Sequence, residues 1–93
     1  TLERLHHLRD PIIRAANRRG LSNVRVFGSV ARRQTSIDSD VDLLVHPAPE
    51  TSVFDLAGFM AEAEELLGTG VDVVSDRGTG PAMERIRAEA VPL

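Results

Sequence analysis

The sequence predicts a small α/β domain, a mixed sheet with helices packed against it. Two observations carry that expectation. Segments with apolar residues at helical spacing alternate with short, valine-rich runs that have the period of strands. Glycine and proline fall at nearly every junction between them. The 93 residues suit one domain over 1–93 with a single core. No internal repeat or low-complexity linker divides them.

At the N-terminus Leu5, Leu8, Ile12, Ile13 and Ala16 recur on one helical face. Asp10 before Pro11 reads as an N-cap with a first-turn proline, so two short helices or one kinked helix are expected. Arg18, Arg19 and Gly20 suit a helix end, where cations and glycine are favoured. Residues 23–27 alternate and form a strand that stops at Gly28. Residues 29–34 are a short helix or turn, and residues 41–45 a second strand halted by Pro47 and Pro49. Leu56, Phe59, Met60, Ala63 and Leu67 mark a helix over 55–67, ended by Gly68-Thr69-Gly70. A third strand covers 71–74. A last helix after Pro81 carries Met83, Ile86 and Ala90 on one face. The expected order is α-β-α-β-α-β-α.

Composition excludes several kinds of function. With no cysteine there is no thiolate catalysis, disulfide or zinc–thiolate site. The net charge of −3 and the three aromatic residues argue against direct nucleic-acid binding. No apolar run is long enough for a membrane span or signal-peptide core, and a cytoplasmic location is expected.

The chemistry starts at Asp40-Val41-Asp42-Leu43-Leu44-Val45. Strand residues two apart share a face, so Asp40 and Asp42 project together, about 6.6 Å apart at Cα, while Val41, Leu43 and Val45 enter the core. Carboxylates so placed suit a pair of hard cations. An isolated Asp-x-Asp is more often an acidic outer face, so a second signal is needed. Asp72 interrupts the otherwise apolar Val71-Asp72-Val73-Val74. If these strands are neighbours, three carboxylates converge, and cations would relieve their repulsion. Gly28-Ser29, at a strand-to-helix junction, is a candidate phosphate cradle, with Arg32 one turn on.

Together these residues spell Gly-Ser, ten residues, then Asp-x-Asp. This resembles the signature of the DNA polymerase β-like nucleotidyltransferase superfamily. It is most similar to the minimal nucleotidyltransferase (MNT) proteins that pair with HEPN-domain partners in toxin–antitoxin modules. The resemblance takes in Val26 to Arg32, Ser39 to Val45, Val71 to Val74 and the closing Glu89-Ala90-Val91-Pro92-Leu93. It implies that Asp40 and Asp42 hold two Mg²⁺ or Mn²⁺ ions and that Asp72 completes one site and orients the attacking hydroxyl. Gly28 and Ser29 would bind the triphosphate of ATP. Arg33 departs from the pattern, since such proteins often have glycine there.

The core uses nearly the whole chain, so the acceptor is expected to be small or to be a partner protein. The resemblance implies AMP transfer from ATP to a tyrosine of a HEPN ribonuclease toxin, within a hetero-oligomer. A non-catalytic binding antitoxin and a small-molecule nucleotidyltransferase stay open. Outside the motif, His6, His7 and His46 lack metal-site spacing and are expected on the surface. Glu62, Glu64 and Glu65 read as a solvated helix face, Asp38 as a loop residue, and Ser75-Asp76-Arg77 as a turn.

Overall fold

A computed structural model describes residues 2–28 and 41–93. Helices α1 (Leu2–His7) and α2 (Arg9–Arg18) lead into strand β1 (Leu21–Phe27). Strand β2 (Val41–Pro47), helix α3 (Val53–Leu67), strand β3 (Val71–Ser75), helix α4 (Pro81–Glu89) and strand β4 (Val91–Pro92) complete the order. The sheet runs β3-β2-β1-β4. Strands β2 and β3 are parallel, and β1 is antiparallel to both β2 and β4. Parallel neighbours need a crossover, which α3 supplies. The mixed α/β fold is as expected.

Hydrophobic periodicity explains the core. From the helices it takes Leu5, Ile12, Ala15, Ala16, Phe59, Ala63 and Leu67, and from the sheet Val26, Val41, Leu43, Val45 and Val71. The sheet residues lie two apart, so one face packs on the helices. A bulge in β1 makes this possible. The pairing shifts between Ser22 and Arg25, and Asn23 takes a left-handed φ of 50°. The extra residue resets the alternation, so Leu21, Val24 and Val26 are all buried. Arg25 and Phe27 thereby fall on the opposite face.

Several boundaries differ from the sequence reading, each for a local reason. The break between the first helices falls at Leu8, not at Asp10-Pro11. Asp10 and Pro11 lie inside α2's first turn, where proline is tolerated, and Asp10 pairs with Arg9 instead. Helix α3 starts two residues early because Asp55 accepts the Ser52 amide at 3.0 Å, closing its first turn. Gly68, at φ 70°, ends it. Strand β2 runs on through Pro47, and β4 was not foreseen at all. Two residues show no periodicity; their pairing with Arg25 and Val26 is what makes them a strand. The segment 29–34 expected as a helix or turn, with Asp38, lies outside the described residues.

The acidic face of α3 is not simply solvated. Glu62 takes Arg18 and Arg19 at 2.8 Å each, and Glu64 accepts the Val71 amide at 3.2 Å. The Arg19 hydrogen bond, then that of Arg18, outweighs burial and holds the Glu62 carboxyl below the usual carboxylate range.

Asp76 ties three strands together. Arg25 of β1 donates to Oδ2 at 2.6 Å, His46 Nδ1 of β2 lies 3.0 Å from Oδ1, and Asp76 sits immediately after β3. Burial pushes this carboxyl up, but the hydrogen bonds from Arg25 and His46 win and hold it below the usual value. A carboxyl with a lower folded pKa contributes stability above its unfolded value and loses it as pH falls through the folded one. Asp76→Asn should therefore cost about 2 kcal/mol at neutral pH, as charge-assisted hydrogen bonds do. The gap to wild type should close below about pH 4. Urea midpoints at both pH values test this, and an undiminished gap in acid would assign the cost to shape alone.

Candidate functional site

The strand register assembles the site. Phe27 pairs with Asp42 across the antiparallel ladder, and Asp42 pairs with Asp72 across the parallel one. Directly paired residues share a face, so Phe27, Asp42 and Asp72 form one row across three strands, roughly 4.8 Å from strand to strand. The row lies on the face opposite the helical core. Along the strands on that face come Arg25 and Leu44, then His46. Asp42 is half-buried and Asp72 exposed. Of the three carboxylates expected to converge, Asp42 and Asp72 are paired, and Asp40 lies outside the described residues.

Gly28 closes the row at the end of β1. Its φ of 75° is left-handed, and a Cβ there would collide with Asp42 Oδ2. Glycine is thus needed twice, for the conformation and for the approach to the carboxylate. Its amide is already engaged, donating to Glu89 Oε1 at 3.0 Å from the end of α4. Arg87 of the same helix donates to the Gly78 carbonyl at 2.9 Å and also to that of Asp76.

Of the residues expected at the site, Gly28, Asp42 and Asp72 are brought together. Asp40, Ser29 and Arg32, along with Arg33, lie outside the described residues. Among the described residues no three of His, Asp and Glu gather as a metal site. His6, His7 and His46 are exposed, as expected. Glu89 was missed as a site neighbour. Glu89 falls in the closing segment that carries the resemblance, but nothing in that pattern gives it a role, and only the fold brings it to a glycine 61 residues away. Between α2 and α3, an open groove of about 400 Å³ lined by Pro11, Arg14, Arg18, Glu62, Glu65 and Leu66 presents none of these groups.

Paired acidic residues on adjacent strands beside a glycine turn are chemically suited to hard cations and to the close approach of a polyphosphate. The sequence matches the family described as polymerase beta, nucleotidyltransferase over residues 11–90, and the chain belongs to it. It is a nucleotidyltransferase. It is 34% identical over 88 residues to "Putative protein adenylyltransferase MJ0435" of Methanocaldococcus jannaschii, covering 94% of this chain and 95% of that protein. A solved "Structure of putative minimal nucleotidyltransferase" superposes with a TM-score of 0.88 at 43% identity, over 99% of this chain and 95% of the other. A "toxin-antitoxin with AMP-PNP" structure shares the fold at 19% identity and a TM-score of 0.75, over 89% of this chain and 69% of its own.

Gly28→Ala and Gly68→Ala test the close approach. Both glycines have φ near 70°, but around Gly68 a Cβ meets only the Arg4 side chain at 3.7 Å. Each substitution should cost about 1–2 kcal/mol of backbone strain. Gly28→Ala should cost more, because Asp42 must move as well. Equal losses in denaturant unfolding would show that Asp42 does not depend on the bare Cα.

Proposed function

We propose that this chain transfers AMP from ATP to a hydroxyl of a partner protein, a tyrosine of a HEPN-domain toxin, which it thereby silences as an antitoxin in a hetero-oligomer. The observation that carries the reading is the pairing of Asp42 with Asp72 beside Gly28. The choice of a protein acceptor draws on the relative named as a protein adenylyltransferase, which matches nearly end to end. The choice of a toxin draws on the neighbours whose structures are toxin–antitoxin complexes, which share the fold.

Asp42 and Asp72 fit a divalent cation. The oxygens of two carboxylates in register on adjacent strands are the donors Mg²⁺ and Mn²⁺ prefer, and such an ion would relieve their mutual repulsion. Asp40, two residues before Asp42 in the sequence, would complete the set for two ions. Such ions, when bound, polarise the phosphate and lower the pKa of the attacking hydroxyl. Gly28, Ser29 and Arg32 would take the triphosphate. Asp72, the exposed member of the pair, would orient the acceptor. In the transfer the tyrosine oxygen bonds to the α-phosphorus as the bond to the bridging oxygen breaks. Pyrophosphate departs and the phenolic proton is released.

Two measurements test this. Mg²⁺ with ATP should raise the melting temperature, as native-state ligands do, and Asp40→Asn with Asp42→Asn should abolish the rise while the fold persists. With the HEPN partner, ATP and Mg²⁺, intact-mass spectrometry should show the partner gaining AMP, and Asp72→Asn should suppress the gain without preventing complex formation. A partner neutralised without modification, by wild type and by all three Asp variants alike, would leave only a binding antitoxin.

A further inference from the structure

The hydrogen bond from Gly28 to Glu89 joins the end of β1 to the closing segment of the chain at the most constrained point of the site. Gly28 sits between two carboxylates. Asp42 Oδ2 lies against its Cα, where no side chain fits, and Glu89 Oε1 accepts its N–H at 3.0 Å. A charged acceptor on the Gly28 amide makes a strong, directional hydrogen bond that orients the Phe27–Gly28 peptide. Glu89 itself is held in place. It is the last residue of α4, half-buried, and the chain turns directly after it into β4, which pairs with Arg25 and Val26 of β1. The Leu93 amide, bonded to the Val24 carbonyl at 3.0 Å, fastens the same segment.

We propose that Glu89 is a positioning residue for nucleotide binding. Its carboxylate fixes the Gly28 peptide so that the turn leaving β1 starts in the geometry the triphosphate needs, with Asp42 undisturbed. The inference rests on the reading of Asp42 and Gly28 as nucleotide-site residues. It also changes the role of the glycine. While Glu89 holds the Gly28 N–H, that amide serves the backbone geometry at the end of β1 rather than the phosphate.

The alternative is a carboxylate that occupies the anion's own place on the amide and must be displaced. The two ideas predict opposite signs. A positioning residue, when removed, weakens nucleotide binding; a competitor, when removed, strengthens it. The tie of that segment to β1, through β4 and the Leu93 amide, favours positioning, because it holds the helix end that carries Glu89 beside Gly28.

The experiment titrates a non-hydrolysable ATP analogue with Mg²⁺ into the wild-type chain, Glu89→Ala, Glu89→Gln and Arg87→Ala. It also tracks amide exchange at Gly28 without nucleotide. Glu89→Ala should weaken binding by at least about fivefold, since it removes at least the Gly28 hydrogen bond, and should speed Gly28 exchange. Glu89→Gln keeps an acceptor oxygen and should restore most of both. Arg87→Ala loosens the same helix elsewhere and should lower the melting temperature without touching affinity. Unchanged or tighter binding in Glu89→Ala would overturn the proposal. So would an affinity loss in Arg87→Ala that matches it per degree of lost stability. A wild type that binds no nucleotide would instead defeat the reading of the site, and the exchange data would still report whether Glu89 holds Gly28.

Discussion

The rest of the site depends on the register between β2 and β3. A slip of one residue would turn Asp72 into the core and Val71 or Val73 out to the acidic face, because side chains alternate along a strand. Val41 and Val71, paired and almost fully buried, make that slip costly. Burying a valine is worth roughly 1.5–3 kcal/mol, more than two facing carboxylates lose by repulsion across water. The apolar face therefore dictates where the acids go. The acidic pair is a consequence of the core, held by residues buried on the opposite face of the sheet.

The same argument extends to β1. Its bulge at Asn23 lets both ends of the strand bury apolar side chains while Arg25 and Phe27 move to the acidic face. Arg25 is then able to reach Asp76, and Phe27 to sit beside Asp42. Without the added residue, Leu21 and Val26 would point to opposite faces. The irregularity in the ladder aims the end of β1, and so Gly28, at the carboxylates. Charge then secures the periphery. Arg18 and Arg19 join α2 to α3 through Glu62, and Arg77 reaches the Pro47 carbonyl at 2.6 Å.

Much of this was legible in the sequence, for reasons that can be named. Val41, Leu43 and Val45 alternate with Asp42, so strand period and acid placement were read together. Gly28 stood at a strand end, and its positive φ agrees with what glycine is used for. The α3 helix was long and periodic enough to be unmistakable, and only its first turn was misjudged. What stayed illegible was non-local. β4 has two residues and exists by pairing, and Glu89 matters through a glycine far along the chain. Asp76 looked like any turn residue until Arg25 and His46 were seen on it.

By itself, then, the sequence determined which residues could be strands, which faces were apolar and which acids could share a face. Those properties come from backbone periodicity and side-chain polarity, and they act over a few residues. The tertiary structure alone decided that β3 lies beside β2 and parallel to it, that Asp42 meets Asp72, and that α4 returns its last glutamate to the start of the site. Strand order and the closing of long loops are settled by packing the whole core at once. No local pattern in the chain encodes that sum.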